Sequence, residues 1–363
     1  MEKTTAHGGA SGRSTAQKVS DRCHNAAVTL EKLTSTDAFI VADLDGAPAA
    51  GIVRAAPKIL VDGATLLARS LTYRFASFER QVSGASSGIN AGPDARADAL
   101  VAYVAEVESK VVAGLLMIEA GKGVTAEELA QLRVVDPRPD AYWELQSDLT
   151  GLGIAVAADA GSGGLDGRAV AIEGFDGAGP ALARAVVERG GRVVAIATPL
   201  GTAVSPDGFD PAALEAAWND QGTELVSAVA AEPGPASAIF AIAADVLVVG
   251  SKPGIVDDQV AARIEAAVVV GGGPVPVTAK GLAVLRRAAR VVVPDFLATA
   301  GPMFAGWPSR GADDPSEAAA QSIATSVGEV LEHADGPFLG ACYRAEGYLL
   351  SWRDELPFGR PLA

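Results

Sequence analysis

The sequence is poor in the residues that mark metalloproteins, nucleic-acid-binding proteins and membrane proteins. Its 363 residues include only two cysteines and three histidines, and none of these has metal-ligand spacing. The formal net charge is −15 and lysine and arginine form no cluster, so we expect the surface to repel nucleic acid and anionic membranes. No apolar run reaches the roughly 18 residues that a membrane span needs. The composition therefore predicts no metal site, no nucleic-acid partner and no membrane partner.

The scarcity of cysteine also indicates a compartment. Cys23 and Cys342 are only two thiols and show no metal-ligand spacing, which favours a reducing cytoplasm and argues against a disulfide framework. Residues 1–25 are rich in Ser, Thr, Gly and Ala and contain no hydrophobic segment. We therefore predict a cytoplasmic protein with a disordered tail and no secretory signal.

The length and the hydrophobic content of 49% are sufficient for two buried cores. The pattern predicts an α/β fold with an N-terminal α/β domain and a Rossmann-like domain built on a doubly wound parallel sheet. The predicted divisions are a tail (1–25), the N-terminal α/β domain (26–149), the Rossmann-like domain (150–312) and a helical segment that packs back on the first domain (313–363).

The first predicted domain mixes short strands with helices. Residues 37–62 alternate apolar runs with Gly and Pro and predict strands, and the apolar spacing of Ala64–Phe78 predicts a helix. Gln81–Gly92 is rich in Gly and Ser, and its SGIN part is interpreted as an extended approach to a cleft. Asp98–Glu119 predicts one long helix, and Thr125 begins a capping-box pattern for the next.

Five apolar runs after residue 150 predict the second sheet. They alternate with helical patterns, and near-continuous Val and Ile runs are typical of strands buried on both faces of a parallel sheet. The runs are AVAIEGF, RVVAIAT, DVLVVG, AAVVVGG and RVVVPDF. Beyond Asp314 the pattern predicts an amphipathic helix.

A strand, a glycine turn and a helix around Gly174 outline a dinucleotide-binding βαβ unit. If Gly174 and Gly179 are the outer glycines of G-x-G-x-x-G, the middle position holds Asp176 and a glycine is displaced to Gly177. The next strand would normally end on a carboxylate for the ribose, but it ends on Thr198 followed by a return loop. These five residues are the candidate cofactor-binding positions.

The order of six short segments resembles the glutamate/leucine/phenylalanine/valine dehydrogenase superfamily over residues 38–345. Gly51–Arg54 is similar to its G-G-x-R, Leu71–Ala76 to M-T-x-K-x-A, and Ser83–Ile89 to G-G-A-K-G-G-I. The later segments are similar to G-F-G-N-V-G, N-P-D-G and V-V-P-D-x-L-A-N-A-G; here they are Gly174–Gly179, Ser205–Gly208 and Val292–Gly301. The resemblance implies a two-domain fold and NAD(P)-dependent reversible oxidative deamination of an α-amino acid.

The resemblance also assigns roles to positions, and several of them carry altered residues. The family's catalytic lysine falls on Ser86, and its partner aspartate falls on Gly121 or Lys122, depending on the register. The lysine that binds the substrate carboxylate is replaced by Arg74, which still suits a carboxylate. The asparagine of L-A-N-A-G becomes Thr299. Ser86 and Lys122 are thus the candidate catalytic positions, and Arg74 and Thr299 the candidate substrate-binding positions.

Each of these residues also has a structural interpretation. Asp176 suits a cap of the following helix, Arg74 a solvated or paired arginine, and Lys122 a solvated turn residue. If Asp176 instead lies about 4 Å from a pyrophosphate charge, their repulsion costs about 4 kcal/mol at an effective dielectric near 20. Without lysine and carboxylate, a deamination loses general base catalysis worth roughly 10²- to 10⁴-fold.

Three functions remain open from the sequence. The first is a catalytically degenerate member that acts as a non-catalytic partner subunit or as a small-molecule-binding protein. The second is an active NAD(P)-dependent enzyme with rebuilt residues, in which Thr198 favours NADP; the third is a non-redox enzyme that uses the same cleft. Family members assemble through the first domain, so the resemblance implies a homo-oligomer or a hetero-oligomer with a paralogue. The implied ligand is an amino acid or a related small molecule, and binding of NAD or NADP is in question.

Overall fold

The computed structural model describes residues 28–230, 232–308 and 313–363, where the chain forms two sheets. The tail predicted at residues 1–25 lies outside the described residues. The strands of the first sheet are β1 (Thr29–Lys32), β2 (Ala38–Ala42), β3 (Ala49–Ala56), β4 (Ser83–Asn90) and β5 (Leu116–Ala120). Those of the second sheet are β6 (Ala169–Glu173), β7 (Arg192–Thr198), β8 (Gly201–Val204), β9 (Val246–Val249), β10 (Val268–Gly271) and β11 (Val291–Val293).

Helices connect and cover the two sheets. The early helices are α1 (Val61–Ser77), α2 (Arg96–Val112), α3 (Ala130–Val135), α4 (Asp140–Glu144) and α5 (Gln146–Ser162). Those of the second half are α6 (Gly179–Glu188), α7 (Pro211–Gln221), α8 (Leu225–Val229), α9 (Asp258–Ala261), α10 (Ala279–Arg287), α11 (Asp295–Ala298) and α12 (Gly301–Gly306). The last two are α13 (Pro315–Val330) and α14 (Pro337–Leu349).

The first sheet has the strand order β1-β2-β4-β3-β5, with β3 parallel to both of its neighbours. Helix α1 covers one face and α2 the other, so the central strands are buried on both sides. At Gly84 in β4, a Cβ atom would lie 1.8 Å from the carbonyl oxygen of Ala68 in α1. Glycine is therefore required there, because the helix lies directly on the backbone of the strand.

One sequence prediction in this half is wrong. The helix predicted for Asp98–Glu119 ends at Val112, Gly114 follows with φ +67°, and Leu116–Ala120 forms β5 instead. Pairing with β3 buries Leu116, Met117 and Ile118, so tertiary burial overrides the local helical pattern. The SGIN part of Gln81–Gly92 is extended, as predicted, because it belongs to the central strand β4.

The second sheet confirms the Rossmann-like α/β prediction. Its order is β11-β10-β9-β6-β7-β8, and all five predicted apolar runs form neighbouring parallel strands. The loop predicted after Thr198 differs, because Gly201–Val204 turns back and pairs antiparallel with β7. The carboxyl ends of the parallel strands therefore meet at one edge, where ligands bind in open α/β sheets.

The C-terminal segment contacts the first half of the chain. The amphipathic run predicted after Asp314 forms α13, and α14 packs against α1. Arg69 of α1 donates hydrogen bonds to the carbonyl oxygens of Phe358 and Gly359, and it pairs with the buried Asp43 at 2.7 Å. The domain limits given above remain predictions. Across the described ranges, no helix is both long enough and apolar enough to span a membrane.

Candidate ligand site in the cleft

A cavity of about 420 Å³ lies between the first sheet, helix α1 and the loops at the carboxyl ends of the second sheet. Much of its wall is apolar, with Ala50, Ile52, Leu67, Leu71, Phe75, Met303 and Trp307. The polar groups on the wall include Arg74, Glu119, Lys122 and Thr299. A mostly apolar cleft with a few convergent polar groups is the usual form of a small-molecule site.

Arg74 is the main cationic group of this wall. Its Nη2 donates a 2.7 Å hydrogen bond to Thr299 Oγ1, whereas its Nε is buried and has no partner among the described residues. Burial lowers the pKa of the Arg74 guanidinium, and the carboxylates of Asp295 and Glu119 act in the opposite direction. No carboxylate within the described ranges forms an ion pair with Arg74. A guanidinium in this state suits an incoming carboxylate.

Thr299 is held in place by the end of a short helix. It follows α11, and its hydroxyl donates a 2.7 Å hydrogen bond to the carbonyl oxygen of Asp295 while it accepts from Arg74. The hydroxyl proton of Thr299 is therefore already used in a hydrogen bond to the backbone and is not free to bind a ligand. The structure thus brings the two predicted substrate-binding residues into direct contact.

Asp295 is a buried carboxylate near this pair that the sequence reasoning did not single out. Its Oδ2 accepts from Ser70 Oγ at 2.6 Å and from the Val275 amide at 3.0 Å, while Oδ1 has no partner in the described part of the chain. Burial raises the pKa of the Asp295 carboxyl, and the two hydrogen bonds and Arg74 oppose this effect. Asp295 joins α1 to the second sheet and places negative charge near Arg74.

Glu119 is a second carboxylate that the sequence reasoning missed, because it was placed at the end of a helix. It lies on β5 opposite Ile52, and its side chain is 22% exposed at the cavity wall. Oε1 accepts from Arg138 at 2.9 Å and from the Tyr142 hydroxyl, and Oε2 accepts from Gln146. A strand assignment for LMIEA would have predicted this position, since ligand sites follow the carboxyl ends of parallel strands.

Ser86 lies away from the cavity. It is fully buried in β4 under α1, opposite Ile52 of β3, and its hydroxyl has no partner among the described residues. Because Ile52 pairs with Glu119 on its other side, one whole strand separates Ser86 from the cavity wall at Glu119. Ile52 itself lines the cavity, about one strand spacing of 4.8 Å from Ser86. Ser86 is nevertheless fully buried and is not a lining residue, so it does not contact a ligand in this arrangement.

The two positions considered for the family's aspartate both line the cavity. Lys122 is exposed there, and Gly121 lies beside it. A Cβ atom at Gly121 would lie 2.9 Å from the carbonyl oxygen of Val53 and 3.0 Å from Cγ of Arg54. Neither position supplies a carboxylate, and a side chain at Gly121 would require its neighbours to move.

The glycine turn after β6 is present, but backbone conformation and packing against neighbouring residues account for its glycines without a bound ligand. Gly174 has φ +83°, and a Cβ atom there would lie 2.6 Å from the Ser251 amide nitrogen. At Gly179 the Cβ would lie 2.7 Å from the ring of Phe175, whereas Gly177 has open space around it. The cavity enclosed at this turn measures only about 10 Å³.

These residues do not suit the pyrophosphate and ribose of a nicotinamide dinucleotide. Asp176 Oδ1 accepts a 2.9 Å hydrogen bond from the Ala178 amide, one of the N–H groups that a phosphate would use, and partial desolvation raises the pKa of the Asp176 carboxyl. Thr198 is buried and donates its hydroxyl proton to the carbonyl oxygen of Thr223 at 2.8 Å. The carboxylate of Glu173 accepts from the Gly250 and Ser251 amides. A phosphate at this turn would thus meet carboxylates of the same charge and donor groups that already form hydrogen bonds within the protein.

Comparison with known proteins shows what this chain is similar to. The family model described as Glutamate/Leucine/Phenylalanine/Valine dehydrogenase matches residues 144–305. The chain is 31% identical over 156 residues to a glutamate dehydrogenase of Aeropyrum pernix, covering 42% of this chain and 37% of that protein. It is 25% identical over 284 residues to the NADP-specific glutamate dehydrogenase A1 of Halobacterium salinarum, covering 71% of this chain and 67% of that protein.

Solved structures show the same fold over most of the chain. A hetero-hexameric glutamate dehydrogenase from Thermus thermophilus, described as the Leu-bound form, aligns with a TM-score of 0.72 at 21% identity over 89% of this chain and 88% of that one. An L-tryptophan dehydrogenase from Nostoc punctiforme aligns with a TM-score of 0.61 at 17% identity, over 93% and 98% of the two chains. At these identities the structural alignments establish the fold.

Proposed function

This chain belongs to the glutamate/leucine/phenylalanine/valine dehydrogenase superfamily, and we propose that it binds an α-amino acid or a related carboxylate without oxidising it. The proposal is carried by Arg74, which lines the 420 Å³ cavity and whose Nε is buried without a partner among the described residues. A largely desolvated guanidinium that has a hydrogen bond to Thr299 but no ionic partner among the described residues is unfavourable for the ligand-free protein. A bound carboxylate would remove this penalty.

The positions expected for proton transfer argue against oxidation in this cleft. Oxidative deamination needs a base for the ammonium or water proton and a cation near the developing negative charge. Ser86 lies beneath α1 with no access to the cavity, and Gly121 has no side chain. The turn around Asp176 in addition disfavours the phosphates of the hydride acceptor.

We further propose that the protein acts as a non-catalytic subunit beside an active paralogue, or as a small-molecule-binding protein. The neighbour from Thermus thermophilus is described as hetero-hexameric and leucine-bound, which supports both an assembly role and an amino-acid ligand. The cleft of this chain offers an aliphatic side chain a wall formed by Leu67, Leu71 and Met303.

One observation favours a second function, an active enzyme with rebuilt residues. Lys122 and Glu119 both line the cavity, so an amine and a carboxylate lie beside the ligand site. Neither residue occupies the position of the family's catalytic lysine, which falls on Ser86. In that case Lys122 takes over the proton transfer, and the absence of a carboxylate at Thr198 favours NADP over NAD.

Binding and turnover measurements on the same full-length protein separate these functions. L-leucine, L-glutamate and their 2-oxo acids are titrated by calorimetry and by thermal unfolding; a ligand at a hundred times its Kd adds about 2.7 kcal/mol to the free energy of unfolding. We expect stabilisation by at least one carboxylate and no NADH or NADPH formation with leucine, valine, phenylalanine or glutamate. Clear turnover would support the second function, and absence of any carboxylate binding would contradict the ligand-binding proposal.

A further inference from the structure

We propose that Glu119 binds the ammonium group of the ligand, so that the cleft selects a zwitterionic α-amino acid over the corresponding 2-oxo or 2-hydroxy acid. The inference rests on the proposed function, because it places the ligand carboxylate on Arg74. It concerns a residue outside the segments that resemble the family, and one that sequence patterns did not mark.

The carboxylate of Glu119 is fixed in its orientation before any ligand arrives. Arg138 and Tyr142 donate to Oε1, and Gln146 donates to Oε2. An ionised carboxylate has about four acceptor sites, so these three donors leave acceptor capacity. A carboxylate held in this way loses little conformational entropy when it accepts another hydrogen bond.

The charge of Glu119 is not fully neutralised by Arg138, because Arg138 also pairs with Asp136. Arg138 donates from Nε and from Nη2 to Asp136, at 2.8 Å each, and is stacked on Tyr142 with its guanidinium carbon 4.3 Å from the ring centre. The one positive charge of Arg138 therefore faces two carboxylates. The cluster of Glu119, Arg138 and Asp136 carries a net charge of −1, and Glu119 is its member that lines the cavity, where the exposed Lys122 also lies.

Arg74 and Glu119 both line the cavity. The Glu119 carboxylate acts to raise the pKa of the Arg74 guanidinium, yet no ion pair between the two side chains occurs in the described part of the chain. An α-amino acid carries a carboxylate and an ammonium group on the same carbon atom. Bound between the two groups, it would pair both charges of the site at once, in a partly desolvated environment that strengthens the interaction.

A ligand series on the wild-type protein tests the inference without any substitution. L-leucine, 4-methyl-2-oxopentanoate and 2-hydroxy-4-methylpentanoate share the side chain and the carboxylate and differ only at the second carbon. We expect L-leucine to bind roughly 10- to 100-fold more tightly than the other two, which is the contribution expected of a charged hydrogen bond. Equal affinities for the three compounds would show that the ammonium is not recognised.

The variant Glu119→Gln assigns the recognition to this residue. It keeps the size of the side chain and one acceptor oxygen but removes the charge, and Glu144→Gln, an exposed change on the neighbouring helix α4, is the matched control. We expect Glu119→Gln to lose roughly 10- to 100-fold in affinity for L-leucine, with unchanged affinity for 4-methyl-2-oxopentanoate. Unchanged leucine affinity, or an equal loss for both ligands, would overturn the assignment.

The failure of this inference is distinguishable from failure of the proposed function. If the wild-type protein binds none of the three carboxylates, the proposed function fails and the assignment of Glu119 fails with it. If the carboxylates bind in a manner that requires Arg74 but not Glu119, only the present inference is overturned. Retained binding of 4-methyl-2-oxopentanoate by Glu119→Gln also shows that the cleft of the variant is folded.

Discussion

Arg74 of α1 and Thr299 beyond β11 are joined by a 2.7 Å hydrogen bond across the cleft. The first residue belongs to the helix that covers the first sheet, and the second follows the last strand of the second sheet. Arg74 also lines the cavity, and its Nε is buried without a partner among the described residues. A carboxylate bound there would therefore contact the residue that already connects the two halves of the chain.

The variant Arg74→Met should separate stability from ligand binding. Removing a buried charge that has no ionic partner is expected to leave the free energy of unfolding unchanged or to raise it by about 1 kcal/mol, although one hydrogen bond to Thr299 is lost. The stabilisation by added carboxylate should disappear. Urea unfolding with and without L-leucine measures both effects, and Arg287→Met, an exposed change, is the control. A loss of more than about 2 kcal/mol in the ligand-free variant would mean that Arg74 has a structural role.

Ser86→Lys should not restore oxidation of an amino acid. The side chain points beneath α1 in a fully buried position, so we expect a loss of at least about 2 kcal/mol in the free energy of unfolding from overpacking and from burying a charge. Ser86→Ala should be close to neutral, because the hydroxyl has no hydrogen-bond partner among the described residues. Chemical unfolding and the NADH absorbance assay provide the two measurements. A stable, active lysine variant would show that the lysine reaches the cleft from this strand.

Asp176→Gly should strengthen the binding of NAD. The change frees the Ala178 amide and removes a carboxylate from the turn, and at 4 Å in water-like surroundings the charge alone accounts for about 1 kcal/mol, or roughly fivefold. Asp176→Asn removes the charge but keeps the Cβ, so it separates repulsion from crowding. Calorimetric titration with NAD is the measurement. Micromolar affinity in the unmodified protein would contradict the account of this turn.

Glu106 should give the first sheet a distinctive acid sensitivity. Its carboxylate accepts hydrogen bonds from the backbone and hydroxyl groups of Ser35 and Thr34, which lower its pKa from 4.5 to about 2. The folded state therefore gains stability above the ordinary pKa, and this gain is lost as the pH falls from about 5 towards 2. In Glu106→Gln this part of the pH dependence should be absent, while Glu108→Gln on the same helix should retain it. Urea midpoints measured across this range test the difference.

The local sequence determined the second sheet and the order of the family segments. Runs such as DVLVVG and AAVVVGG are apolar at every position, and only strands covered on both faces bury all of these side chains. The glycine turn at Gly174 was likewise visible in the sequence, because positive φ favours glycine. For these elements the pattern and the structure agree, since the determining interactions are short-ranged or depend only on hydrophobicity.

The candidate site depended on tertiary structure. The segment that ends at Glu119 has a helical pattern, and only its pairing with β3 makes it a strand and brings the carboxylate to the cavity. In the same way, the segment of Ser86 resembles the glycine-rich family segment that contains the catalytic lysine. Its neighbours in the sheet bury it beneath α1. Hydrophobic periodicity specifies which faces are buried, whereas the pairing of charges depends on contacts between distant segments. The unpaired Nε of Arg74 is therefore a property of the folded chain, which no local pattern encodes.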